Sequence, residues 1–250
     1  MDRGVHFHAR AEGGSTIDEG QTVKQKGEEF DTSWARTPAA GVAREIIVNY
    51  ALGRLIDHYT KPITLGGDLF DTLKPPVIFV ANHSSHLDTP SILRAMPRNW
   101  RQHTATIAAA DYFYQNRIVA GLVTLSFATV PIERKGGVSK TTSDRIDRLV
   151  KDRWNLLLYP EGTRSRDGQL AKLKPGAAFM AIANSLPVVP IYVSGTYEAM
   201  PVGRGWPRKH PVSVRFGTPI QPQADEHHRA LSSRIERGML EMREEWRPSA

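Results

Sequence analysis

Short apolar runs alternate along the chain with longer segments of helical period. The runs at 62–65, 77–81 (VIFVA), 104–109, 127–132, 154–159 (WNLLLY), 188–193 (VVPIYV) and 212–216 (VSVRF) have strand length and predict strands buried on both faces. Between them, 89–96, 113–124, 140–152, 174–185 and 224–245 predict helices, the last charged along most of its length and so a surface cover. Such alternation predicts an α/β fold: a single domain with a mostly buried, twisted, mixed β-sheet flanked by helices. No internal repeat is present.

Residues 41–59 carry apolar side chains at 42, 46, 47, 50, 51, 55 and 59, one face of an amphipathic helix. That face either packs on the core, the commoner role, or lies at a bilayer interface. Arg44 and Arg54 share the polar side with Glu45 and Asp57, so the helix is not strongly basic. The expectation is therefore core packing. Residues 1–40 are polar, rich in Gly, Glu, Gln, Thr and Ser, and lack a sustained apolar period. They are expected to form a flexible tail ahead of a domain at 41–250, rather than a segment docked through Phe30 and Trp34.

Charge and cysteine change the picture next. The 250 residues have a net charge of +7. The first 40 carry −2, so the remainder carries +9. Such a surplus calls for an anionic partner: nucleic acid, a membrane surface or a phosphorylated substrate. In the stretch 140–153 acids interleave with the cations, which reads as a solvated helix face and not a nucleic-acid stripe. No nucleic acid is expected. The longest uncharged apolar run, 118–132, is shorter than the ~20 residues of a spanning helix. It predicts a buried helix plus strand, or a shallow interfacial segment. The opening residues lack the apolar centre of a secretory signal, so the expected place is cytoplasmic. The absence of cysteine excludes a thiol nucleophile and thiolate metal sites.

Two segments carry candidate chemistry, and each follows a predicted strand, where open α/β sheets collect their sites. The first is Asn82-His83-Ser84-Ser85-His86-Leu87-Asp88. A carboxylate folded back on His83 fixes the imidazole tautomer and leaves the other nitrogen as a base. The alternative is that Asp88 caps the following helix and His83 is an ordinary loop residue. His86 is a rival base with no Asp at the same spacing. The second is Tyr159-Pro160-Glu161-Gly162-Thr163-Arg164-Ser165, a turn that brings Glu161 and Arg164 to the sheet edge. Arg164 can grip a phosphate through parallel hydrogen bonds, with Arg134, Lys172 and Lys174 nearby in sequence order. Alone, this segment reads more readily as an ordinary surface turn with solvated charges.

NHSSHLD, VPIERK, YPEGTRS and VVPI, in this order and rough spacing over residues 60–220, resemble the glycerolipid acyltransferases of the 1-acylglycerol-3-phosphate acyltransferase type. The resemblance implies His83 as general base with Asp88 as its partner. It implies Arg134 as a phosphate contact, and Glu161, Gly162, Thr163 and Arg164 as the acceptor-binding loop. It implies a glycerolphosphate-acyltransferase-like fold and transfer of an acyl group from acyl-CoA or acyl carrier protein to a lysophospholipid hydroxyl. No cofactor and no metal are expected, and attack is direct because no Cys or G-x-S-x-G elbow offers an acyl-enzyme. Other acceptors (glycerol 3-phosphate, an amino-lipid, a glycolipid) and a non-catalytic lipid-binding role stay open. An enzyme of this kind is expected at the inner face of the membrane, peripherally bound.

Overall fold

The computed structural model describes residues 30–110, 114, 116–132 and 140–245. Its centre is a seven-stranded sheet in the order β1-β7-β6-β2-β5-β3-β4, formed by β1 (Ile63–Leu65), β2 (Ile78–Ala81), β3 (Thr104–Ala109), β4 (Val130–Ile132), β5 (Asn155–Leu158), β6 (Val188–Ser194) and β7 (Ser213–Phe216). All neighbours are parallel except β6 and β7, so the sheet is mixed, as expected. The central runs became strands because both their faces are covered, whereas the edge strand β1 is largely exposed. Along β2, Ile78 and Val80 enter one core and Phe79 and Ala81 the other, and in β5 Leu156 and Leu158 oppose Leu157 in the same way. That is the two-residue period of a strand buried on both sides.

Helices α6 (Lys140–Lys151), α7 (Gly176–Ala183) and α9 (His228–Glu245) cover the first face through Ile146, Leu149, Met180, Leu231 and Ile235. The second face is covered by α3 (Asp88–Ala95), α4 (Arg98–Gln102) and a 3-10 turn at Gly67–Asp71, through Ile92, Leu93, Trp100 and Phe70.

The amphipathic segment departs from expectation. It forms α1 (Pro38–Ile46), a π-turn (Ile47–Ala51) and α2 (Leu52–Thr60). Its buried positions are 40, 44, 48, 53, 56 and 60. Their spacing widens to five between 48 and 53, where the π-turn absorbs one extra residue and keeps the buried face in line. The apolar stripe at Val42, Ile46 and Tyr50 points outward instead, with Tyr50 64% exposed. Arg44, read as polar surface, is buried. Its Nε donates to the Leu125 carbonyl (3.1 Å), and an Nη nitrogen donates to that of Ala35. Burial lowers its pKa to about 10. It thereby caps the carboxyl end of α5 (Arg117–Phe127), where a cation meets unpaired carbonyls. Helix α5 also turns apolar residues outward: Ile118 (75% exposed), Val119 and Leu122.

Residues 30–40 do not behave as the expected tail. Residues 30–37 dock: Phe30 packs on Tyr114 with centroids 5.4 Å apart, and Thr32 and Ala35 are buried. The rest of that segment, 1–29, lies outside the described residues.

Candidate active site

The site forms where β2 ends, between β5 and β6. Asn82 stops the strand and clamps it: its Nδ2 donates to the Val193 carbonyl (2.9 Å), and its Oδ1 accepts from the Val193 amide (2.7 Å). This polar residue at the end of an apolar strand has no chemistry of its own; it fixes the take-off of the loop that follows.

The loop then folds around one carboxylate. Asp88 opens α3 and is fully buried. Its Oδ2 accepts from the amides of Ser84 (2.7 Å) and Ser85 (2.8 Å) and contacts His83 Nδ1 at 2.8 Å. Asp88 is thus no helix cap: the amides it satisfies precede the helix. An ionised carboxylate only accepts, so Nδ1 carries the proton and Nε2 holds the lone pair, turned away from Asp88. Ser84 and Ser85 use their hydroxyls elsewhere, on Thr196 Oγ1 (3.1 Å) and the Met200 carbonyl (2.7 Å), anchoring the loop to α8 (Thr196–Ala199) and the residue after it.

The second segment brackets His83. The His83 amide donates to Glu161 Oε1 (2.7 Å), and the His83 carbonyl accepts from the Ser165 amide (2.7 Å). Glu161 Oε2 accepts from the Ala171 amide (2.9 Å). Glu161 is buried, and burial pushes its pKa up, against those two amides, which pull it down. The expectation that Glu161 contacts the acceptor is therefore corrected. Its carboxylate is spent on backbone amides, it does not line the cleft, and it positions His83. Tyr159, the first residue of that segment, carries no role in the sequence-based expectation. Its ring stacks on the His83 imidazole (centroids 4.1 Å, 24°), and its hydroxyl bonds Thr89 Oγ1 at 2.7 Å.

Gly162, Thr163 and Arg164 do line the cleft, with His83, His86 and Tyr159. The cleft holds about 470 Å³, and Ile107, Val123, Phe127, Ile132 and Leu158 make one wall apolar. Gly162 has φ +76°, and a β-carbon there would stand 2.4 Å from Lys174 Nζ. The turn therefore needs glycine both for its left-handed backbone and for the lysine laid across it. Arg164 adds a second cation, half-buried beside His86. Nearby protein atoms and the Arg164 charge push the His86 imidazole down to about 4, although the residue as a whole is exposed and solvent screens part of this effect. Lys172 is exposed, and Arg134 lies outside the described residues. A larger hollow, about 610 Å³, lies between β7 and α9 and includes no residue of either segment. Size alone does not locate the chemistry.

A polarised imidazole beside an apolar wall, with cations at the rim, suits proton removal from a hydroxyl on an anionic lipid. The chain is 25% identical over 185 residues to a "1-acyl-sn-glycerol-3-phosphate acyltransferase" of Cocos nucifera, covering 74% of this chain and 58% of that protein. It is 28% identical over 170 residues to a protein of the same name from Limnanthes douglasii, covering 67% of this chain and 58% of that one. This chain thus matches only 58% of the length of these curated relatives. The crystal structure titled as that of the 1-acyl-sn-glycerophosphate (LPA) acyltransferase PlsC from Thermotoga maritima superposes with a TM-score of 0.67 at 22% identity. That match covers 92% of this chain and 90% of the other, and shows a shared fold. The family model described as Acyltransferase matches residues 61–194, a span that takes in both the His83 loop and the Glu161 turn, and on this match the chain belongs to the acyltransferase family.

Proposed function

We propose that this chain transfers a fatty acyl group from a thioester, acyl-CoA or acyl carrier protein, to the free hydroxyl of 1-acyl-glycerol-3-phosphate, giving phosphatidic acid. The observation that carries the reading is the 2.8 Å contact of His83 Nδ1 with the buried Asp88, beside a cleft with an apolar wall. His83 Nε2 takes the hydroxyl proton as the oxygen attacks the thioester carbonyl. The tetrahedral intermediate collapses by breaking the carbon–sulfur bond, and the thiolate leaves and takes up the proton. A thiol near pKa 8.5 is a good leaving group, so no separate acid is needed. The chemistry calls for no metal or cofactor beyond the thioester. Arg164 and Lys174 would hold the acceptor phosphate, with Arg134, from the sequence resemblance, as a third cation. The apolar cleft wall takes the acyl chain.

Reaching a lipid needs a membrane contact. No helix among the described residues is long and apolar enough to cross a membrane. The neighbouring outward stripes of Val42, Ile46 and Tyr50 and of Ile118, Val119 and Leu122 supply a face for shallow insertion at the cytoplasmic leaflet.

The test is thiol release from acyl-CoA with 1-acyl-glycerol-3-phosphate by wild type and His83→Ala. We expect His83→Ala to lose ~10²–10⁴-fold, the range of general-base assistance. Equal turnover would overturn the mechanism. A panel with glycerol 3-phosphate, amino-lipid and glycolipid acceptors decides the acceptor. Vesicle binding by a wild type with no turnover on any of them would mark a non-catalytic lipid-binding protein.

A further inference from the structure

We infer that the segment 201–210 is a second membrane contact, a basic-aromatic loop that seats on anionic phospholipid headgroups beside the catalytic loop. This rests on the reading of the chain as an enzyme of membrane lipids. From Ala199 to Ala224 the sequence holds Arg204, Arg208, Lys209 and Arg215 and no acidic residue. Trp206 is 61% exposed, the most exposed aromatic ring after Tyr50 among the described residues. It is nevertheless held. Its Nε1 donates to the Tyr59 hydroxyl (2.9 Å), and its ring meets Tyr59 edge-on with centroids 6.2 Å apart. An indole whose polar atom is satisfied by protein presents an apolar remainder outward, as interfacial tryptophans do.

The cations around it are pre-set in the same way. The Nε of Arg204 donates to the Trp206 carbonyl (3.0 Å) and that of Arg208 to the Glu198 carbonyl. Each guanidinium thus uses its inner nitrogen on backbone, and its outer nitrogens remain for phosphate oxygens. Both ends of the loop are tied to functional elements. Met200 accepts from Ser85 of the catalytic loop, and His210 donates through its amide to the Tyr59 carbonyl at the end of α2 (2.9 Å). A headgroup layer under the loop therefore lies next to the His83 loop. The loop offers one indole among cations and no row of stacking platforms, which favours a bilayer over a nucleic acid.

The test is co-sedimentation of the full chain with phosphatidylcholine vesicles, with and without phosphatidylglycerol. Replacing Arg204, Arg208 and Lys209 together by Gln should weaken partition onto anionic vesicles on the order of 100-fold, from roughly fivefold per cation. It should leave binding to neutral vesicles unchanged. Trp206→Ala should weaken both, and Tyr59→Phe, which leaves the indole Nε1 without its partner, should weaken both to a smaller extent. Acyl transfer to a short-chain acceptor dissolved as monomers should be unaltered in every variant, while transfer to vesicle-embedded acceptor falls. Anionic-vesicle binding by the triple variant equal to wild type overturns the inference, as does a wild type that binds duplex DNA but no vesicle. A wild type that binds anionic vesicles through the loop yet transfers no acyl group would overturn the enzymatic reading alone.

Discussion

The ring of Tyr159 lies nearly flat on the imidazole of His83, centroids 4.1 Å apart, while its hydroxyl bonds Thr89 on the far side. The stack fixes one face of the base and leaves Nε2 to swing only in the ring plane. Ring and hydroxyl should therefore separate. Tyr159→Phe loses one buried hydrogen bond, about 1 kcal/mol of stability, with kcat nearly intact. Tyr159→Leu keeps an apolar plug but loses the flat contact, and kcat should fall more than KM rises. Thermal melts and steady-state kinetics of the two variants decide it; a Phe variant as slow as the Leu variant would assign the role to the hydroxyl.

Asp88 sets the tautomer. In Asp88→Asn the single atom that meets Ser84, Ser85 and His83 Nδ1 becomes either a neutral carbonyl oxygen, which keeps the three contacts but no longer stabilises the imidazolium, or an NH2 group, which forfeits both amides and removes the base. kcat should drop ~10²–10⁴-fold with acceptor KM little changed, because the residue is buried behind His83. Pre-steady-state measurement of the first turnover would show the same loss.

Glu161 acts through the backbone. Gln has one acceptor oxygen where two amides, of His83 and Ala171, need one each. Glu161→Gln should cost about 1–3 kcal/mol, the penalty of an unpaired buried donor, and lower kcat by displacing His83. A rise in acceptor KM with kcat unchanged would instead restore it to the substrate.

Gly162 and Lys174 form a linked pair. Gly162→Ala brings a strained left-handed residue, roughly 1 kcal/mol, and displaces the lysine head. Both Gly162→Ala and Lys174→Ala should raise acceptor KM. In the double variant the second change should add little, because the cation is already lost. Strict additivity would place Lys174 outside the acceptor site.

Much of this was legible in the sequence, and the failures have physical causes. The central strands are legible because a strand covered on both faces is largely apolar, and the exposed edge strand β1 is legible only as a short run beside them. The helix at 41–59 buries a different face from the one its pattern predicts, because an apolar stripe shows that two faces differ, without saying which meets the core. A π-turn re-phased the buried face, and Arg44 entered the interior to meet carbonyls that no local pattern reveals. His83 and Asp88 were readable because they lie five residues apart. Asn82 with Val193, 111 positions on, and His83 with Glu161, 78 positions on, become partners only once parallel strands bring their ends together.

His86, three residues from the base, differs from it in electrostatics and predicts a pH effect on stability. Crowding and the Arg164 charge lower its folded-state value to about 4 from an ordinary 6.5. Between these values the unfolded chain binds more protons than the folded one, so acid favours unfolding. The contribution of His86 is complete above about 6.5 and is lost as pH falls through about 4. Because the residue as a whole is exposed, solvent screens part of the effect. His86→Gln should therefore flatten the decline of Tm between these limits and leave Tm at pH 8 nearly unchanged. Arg164→Ala, which removes one of the two main causes, should make the decline smaller and end it at a higher pH, with its onset near 6.5 unchanged. Identical Tm profiles for wild type and His86→Gln across that window would show that the ring titrates like a free histidine.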